Sequence, residues 1–293
     1  MLTASVVAVV YTAPVRVRHH ELDPFGRVHP AVYLRWLAQA AIDASTDVGF
    51  DAAWYAQAGA HWLVRRTTFS ILHPARTDDA LTVATWVEDF RRVRSHRCYE
   101  VRRADGVLCA AARTDWVYVD ATSGRPRRVP QEMERAFGLG PDTPRAERPD
   151  WTAPAPPPAP ARHARRVEYA DLDALGHVNN ATYLDVLGEA ALAALADVGW
   201  PVDRLAAAGA VPWLGEADLE YLDAAKHRDL LEATTWFGAN RDALTVHQLL
   251  TRTDDARPVV RSNSHWRWSH PQTHEPTAPP TALTPALQPL LAA

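Results

Sequence analysis

The chain of 293 residues holds two cysteines, Cys98 and Cys109, too few for a disulfide framework at this length. A reducing compartment is the simpler expectation. No apolar stretch approaches the roughly 20 residues needed to cross a bilayer. The apolar run from Val6 to Val10 has no Lys or Arg before it, whereas a secretory signal wants a basic start and a longer apolar centre. That run is expected to be an edge of the first strand or a loose terminus, and the protein to be cytoplasmic and not membrane-bound. Positive charge is also in short supply. With a formal net charge of −4, the whole-molecule field gives no reason to expect nucleic acid as a partner.

What the chain does have is 47% hydrophobic and 23% charged residues, the balance of a globular protein. Its length leaves room for about two domains, each able to bury its own core. An internal repeat sets their arrangement. Asp173-Ala174-Leu175-Gly176-His177-Val178-Asn179-Asn180-Ala181-Thr182-Tyr183 has a weaker copy, Asp23-Pro24-Phe25-Gly26-Arg27-Val28-His29-Pro30-Ala31-Val32-Tyr33, at a spacing of 150. Leu34/Leu184, Leu37/Leu187, Gly49/Gly199, Trp86/Trp236 and Trp116/Trp266 keep that spacing, with no insertion or deletion visible across the matches.

After each copy the hydrophobic period becomes helical. Tyr33, Leu37, Ala40 and Ala44 share one face, as do Tyr183, Leu187, Ala190 and Ala194, and Pro30 suits a first helical turn. Residues 15–22 and 166–169 read as short strands entering the loops. Residues 81–87 are rich in β-branched and aromatic side chains. Asp105-Gly106 joins two further strands as a hairpin. One long helix followed by antiparallel strands predicts an α+β layer, a curved sheet packed against the helix. The Pro-rich stretch 140–163 reads as an extended connector, dividing a domain at 1–139 from one at 164–270. A Pro-rich tail at 271–293 is expected outside the core.

The string Asp173-x-x-Gly176-His177-Val178-Asn179-Asn180-x-x-Tyr183 resembles the 4-hydroxybenzoyl-CoA thioesterase family of hotdog proteins. Phe69-…-Pro74-Ala75-Arg76-…-Asp79, Trp116-Val117-Tyr118-Val119-Asp120 and Gly124 to Pro130 are similar to the family's later strands and exit. The resemblance implies a tandem double hotdog, in each unit a helix wrapped by an antiparallel sheet, acting on acyl-CoA or acyl-carrier-protein thioesters without metal or organic cofactor. Most relatives dimerise. A tandem copy implies an intrachain pseudo-dimer, or a higher homo-oligomer of it, as in the plant acyl-carrier-protein thioesterases. Those enzymes have an Asn two residues after the Asp; here that residue is Leu175, so their detailed mechanism does not transfer.

Thioester hydrolysis needs a carboxylate that attacks the carbonyl or activates water, and donors for the oxyanion. An Asp beside a helix's first turn supplies both, since the unpaired N–H groups and dipole there favour negative charge. In the family a backbone amide seven residues after the Asp is an important donor. That position is Asn180 in the second unit and Pro30 in the first, and proline has no N–H. The expected catalytic set is therefore Asp173, His177 and the Asn180 amide, with Asp23 a weak or silent second site. Substrate-binding candidates are Gly176, Asn179, Tyr183 and Glu189, the last opposite Gln39 in the repeat. Arg91, Arg92 and Arg94, clustered with Arg97, are candidates for CoA phosphates or an acidic carrier protein. Local capping by Asp173, Asn179 and Asn180, packing of Tyr183, and a solvated arginine-rich strand edge are the structural alternatives. Cys98 and Cys109 have no His or Asp context that marks a nucleophile. Two other functions stay open: a hotdog hydratase or dehydratase, and a non-catalytic acyl-thioester-binding double hotdog.

Overall fold

The computed structural model describes residues 9–140, 143–238 and 243–292. Val6 to Ala8 of the opening apolar run and Arg241, the repeat partner of Arg91, lie outside the described residues. The chain divides into two compact units between Asp150 and Trp151, inside the stretch expected as a connector. The first unit runs β1 (Val10–Arg16), α1 (Pro30–Asp47), α2 (Ala52–Ala58), β2 (Ala60–Ile71), β3 (Ala80–Arg91), β4 (Arg94–Arg103), β5 (Leu108–Asp120) and α3 (Gln131–Ala136). Its strands pair antiparallel in the order β1-β3-β4-β5-β2. The second unit runs β6 (Ala161–Arg166), α4 (Asn180–Asp197), α5 (Val202–Ala207), β7 (Val211–Tyr221), β8 (Leu230–Gly238), β9 (Leu244–Arg252), β10 (Pro258–Ser269) and α6 (Leu283–Leu287). Its order is β7-β10-β9-β8-β6.

The long helices form where the 3.6-residue period places them. Tyr33, Leu37, Ala40 and Ala44 are buried on α1, and Tyr183, Leu187, Ala190 and Ala194 on α4. Asp51 caps α2 by accepting the Trp54 N–H at 2.8 Å, a side-chain bond that satisfies one of the orphan donors of the first turn. Between β4 and β5, Gly106 takes φ of +87°, the left-handed region that a hairpin turn requires and glycine adopts without strain. The entry strands lie earlier than expected. β1 ends at Arg16 and β6 at Arg166; beyond them Val17 and Val167 are buried and a short 3-10 turn follows. Residues 18–22 and 168–172 leave the ladder because the chain must bend there to reach the loop.

Two expectations about the flanks are corrected. The C-terminal tail is not outside the core: Leu283, Leu287 and Leu290 are buried, and the Ala292 N–H donates to Phe237 O at 2.8 Å. Proline density hid an apolar stripe at helical spacing. Part of the connector packs as well. The Arg148 guanidinium, nearly buried, donates to Asp89 at 2.8 and 3.0 Å and to Asp115 at 3.3 Å, and the Ala146 N–H donates to Asp89 at 2.9 Å.

The repeat also slips once. Val87 stands opposite Arg97 in the first sheet, whereas Phe237, the partner of Val87 at the 150 spacing, stands opposite Val246. Strand β9 therefore aligns with β4 at a spacing one residue short of that relating the loops. A match by spacing alone pairs the wrong side chains here.

Arg148 closes a buried ion cluster, so Arg148→Met leaves Asp89 and Asp115 short of a cation and lowers stability by about 3–5 kcal/mol, read from urea unfolding. The cluster also makes the fold acid-sensitive. Burial, together with the guanidiniums of Arg148, Arg113 and Arg94, outweighs Asp89 and lowers the His96 imidazole to about 3. Burial alone would raise the Asp89 carboxyl, but hydrogen bonds from Arg148, the Ala146 amide and the His96 amide hold it at about 2. In both cases the unfolded chain takes up its proton at higher pH, so stability falls as pH falls. The decline runs from about 6.5 to about 3 for His96 and from 3.8 to about 2 for Asp89. Thermal melts across this range should show it, and His96→Asn should flatten its upper part.

Candidate active site

The Asp173 loop is tied shut by its own backbone. The Asp173 N–H donates to His177 O at 2.8 Å, the Gly176 N–H to Asp173 O at 3.0 Å, and the Asn179 N–H to Asp171 O at 2.8 Å. Gly176 has φ of +73°, which is why that position needs glycine. The loop rests on the β7–β8 connection, where the Val178 N–H donates to Ala225 O at 3.0 Å. The Ala225 N–H in turn donates to the Tyr183 hydroxyl at 3.0 Å. These bonds bring Asp173, Gly176, His177, Asn179 and Asn180 together at the amino end of α4.

Within that group the polar atoms divide their work. Asn179 is the N-cap, its Oδ1 accepting the Ala181 N–H at 2.9 Å, the capping alternative that the sequence offered for it. Asn180 opens the helix, and among the described residues no acceptor meets its N–H. The Asp173 carboxylate, half-buried, accepts the Leu175 N–H on Oδ1 at 2.9 Å. Its Oδ2 has no partner among the described residues. His177 is half-buried, and its ring has no protein partner there.

The first unit builds the same loop with its carboxylate fully engaged. Asp23 Oδ1 accepts the Phe25 N–H at 2.8 Å and the Arg27 N–H at 2.9 Å, and Oδ2 accepts Arg27 Nε at 2.8 Å. Arg27, where the second loop has His177, is itself buried. Pro30 opens α1, and His29 makes no side-chain cap. The arginine clamp on Asp23 is a feature that sequence reasoning missed, although the Arg27/His177 difference was its visible signal.

The remaining candidates fall elsewhere. Tyr183 is buried, with its hydroxyl held by Ala225 and pushed up to about 12 by burial, so it serves as a core post. Glu189 is exposed on α4, nine residues and hence about 14 Å of axial rise from Asn180. Two arginines of the cluster are already paired. Arg91 bonds Asp89 and the Ala146 carbonyl, and Arg94 bonds Asp115; Arg92 is exposed. Nor is β4 a sheet edge, since β3 and β5 flank it. Cys98 is pushed up to about 12 by burial and by Glu88, the wrong direction for a nucleophilic thiolate. An open cleft of about 270 Å³ lined by Asp223, Lys226, Asp229, Arg252 and Arg257 adjoins Ala225. Its central Arg252 is held at 3.0 Å by each of Asp223, Asp229 and Asp255. No motif in the sequence marks that cleft.

Comparison with known families decides what this loop belongs to. The model of the thioesterase-like superfamily matches residues 17–137 and again residues 167–287. The chain belongs to that superfamily. A protein of Bacillus subtilis (strain 168) named "Putative acyl-CoA thioesterase YneP" is 27% identical over 112 residues, 38% of this chain and 81% of its own. A Lactobacillus plantarum structure described as "oleoyl thioesterase (putative)" superposes with a TM-score of 0.75 at 22% identity, covering 89% of this chain and 96% of that one. An acyl-ACP thioesterase from Bacteroides thetaiotaomicron follows at 0.72 and 18% identity, covering 88% and 97%. These likenesses agree with the tandem hotdog architecture. Among the described residues no helix is long and apolar enough to cross a membrane.

Two substitutions test the scaffold separately from any chemistry. Asn179→Ala removes the α4 cap and should cost about 1 kcal/mol. Tyr183→Phe leaves the Ala225 N–H buried without its acceptor and should cost about 1–3 kcal/mol. Denaturant midpoints at unchanged m-value check both.

Proposed function

We propose that this chain hydrolyses acyl-CoA or acyl-carrier-protein thioesters at the Asp173 loop. The observation that carries the reading is a carboxylate with one unengaged oxygen in the same closed loop as an unengaged first helical N–H. Asp173 takes a proton from water as the water oxygen bonds to the thioester carbonyl carbon, or attacks that carbon itself to form a mixed anhydride that water then hydrolyses, freeing the carboxylate and the acid. The carbonyl electron pair moves onto oxygen, where the Asn180 N–H and the amino end of α4 stabilise it. Collapse breaks the C–S bond, and the thiolate leaves to be protonated. His177, half-buried in the same loop, polarises the thioester or holds the water.

The first loop is read as weak or silent. Pro30 withholds the matching N–H by its covalent structure, and Arg27 occupies the carboxylate of Asp23. The names of the similar proteins, which include acyl-CoA and acyl-ACP thioesterases, support the substrate class.

Asn180→Pro gives the second unit the residue that the first already has at helix position one, where proline is well tolerated. It should keep the melting temperature and lower kcat for thiol release by about a hundred- to a thousandfold. Asp173→Asn should lower kcat by about a hundred- to ten-thousandfold, while Asp23→Asn leaves turnover near wild type. A larger loss from Asp23→Asn refutes the assignment.

A further inference from the structure

We propose that Arg97 anchors a buried site in the first unit for a carboxylate carried on an apolar body. Arg97 is 6% exposed, and among the described residues no carboxylate lies within ion-pair distance of it. Among the described residues it makes one long hydrogen bond, Nη1 to Thr85 Oγ1 at 3.5 Å, and its guanidinium carbon lies 5.0 Å from the centre of the Phe137 ring. A guanidinium presents five N–H donors, and most of these have no protein acceptor among the described residues. The nearby phenols of Tyr99 and Tyr55 are both pushed up by burial, Tyr99 to about 12, and stay neutral. They supply no counter-charge.

This arginine differs from its neighbours on the strand. Arg94, His96 and Cys98 alternate onto the side of β4 that meets Asp115 and Glu88. Arg97 falls in the cross-strand row Val87, Arg97, Thr114, Thr67. Val87 in that row belongs to the core cluster of Phe50, Tyr118, Met133 and Phe137. The guanidinium is thus placed at an aromatic interior, with the Thr67 and Thr114 hydroxyls, 3.3 Å apart, in the same row.

The second repeat shows that the fold does not need a charge here. The equivalent row there is Phe237, Val246, Ser264, Ala217, and Val246 is 0% exposed. A buried cation without an anion is costly, and an apolar side chain at such a place is neutral or stabilising. A planar carboxylate is the ligand whose geometry matches a guanidinium in bidentate fashion, and the aromatic surroundings fit an apolar remainder. The inference goes beyond the thioesterase reading and does not require it. The carboxylate has two possible sources, a free carboxylic acid or the far end of a carboxylated acyl group.

Calorimetric titration of the full chain with hexanoate, adipate and benzoate, with hexan-1-ol as the uncharged control, tests the site without any turnover. At least one carboxylate should bind and raise the melting temperature, with hexan-1-ol at least tenfold weaker. Arg97→Val should weaken that binding at least tenfold while melting at or above wild type, and Arg97→Lys should restore part of it. If wild type binds none of the three acids, or Arg97→Val binds them as wild type does, the site is refuted. Thiol release from adipoyl-CoA and hexanoyl-CoA then separates the sources. A loss in Arg97→Val confined to adipoyl-CoA assigns the end of the acyl group; free-acid binding with no such selective loss assigns a free carboxylate. Failure of both thioesters to react would count against the proposed function and leave the calorimetric result standing.

Discussion

The proposed chemistry rests on keeping one helix's first N–H unengaged in a loop that its own backbone bonds hold closed. A buried helix end ordinarily finds acceptors for its leading amides. In the second unit Asn179 takes the amide of Ala181, and the Asn179 carbonyl takes that of Thr182. Asn180 is left over. The loop keeps its shape because the Asp173, Gly176 and Asn179 amides donate to His177, Asp173 and Asp171 carbonyls and the Val178 amide to Ala225. Rigidity of the clasp and availability of the Asn180 amide are one property seen from two sides.

The two repeats then differ in what they do with the same frame. Both have the aspartate, the left-handed glycine and the tyrosine that grips the β7–β8 or β2–β3 connection; Tyr33 accepts the Ala75 N–H at 2.7 Å much as Tyr183 accepts that of Ala225. The first loop turns its aspartate inward onto Arg27 and begins its helix with proline. A carboxylate so occupied holds a turn together well and has little capacity left for a ligand. The second loop gives up that internal ion pair and leaves an oxygen unclaimed.

Much of this was legible in the chain. The helices, the hairpin at Asp105-Gly106 and the loops could be read because each depends on neighbours in sequence: a 3.6-residue stripe, a turn glycine, an N-cap. The contacts that escaped are those made between distant positions. Arg148 meets Asp89 across the connector, and nothing in a proline-rich stretch announces a buried ion pair. Leu283, Leu287 and Leu290 were masked by prolines that suit a short helix followed by a 3-10 turn. The arginines of β4 looked alike in a row, yet strand alternation sends Arg94 and Arg97 to opposite faces. Only the register tells which is which.

The slip between β4 and β9 has an evolutionary reading. A one-residue shift of pairing register carries every side chain of a strand to the other face, whereas a length change taken up in the turn leaves the faces as they were. Duplicated genes usually diverge by accumulating point changes, slowly and position by position. Here the spacing is one residue short in β9 and returns to 150 in β10, so a shortening on one side of the strand is matched by a lengthening on the other, and where one half holds Arg97 the other holds Val246.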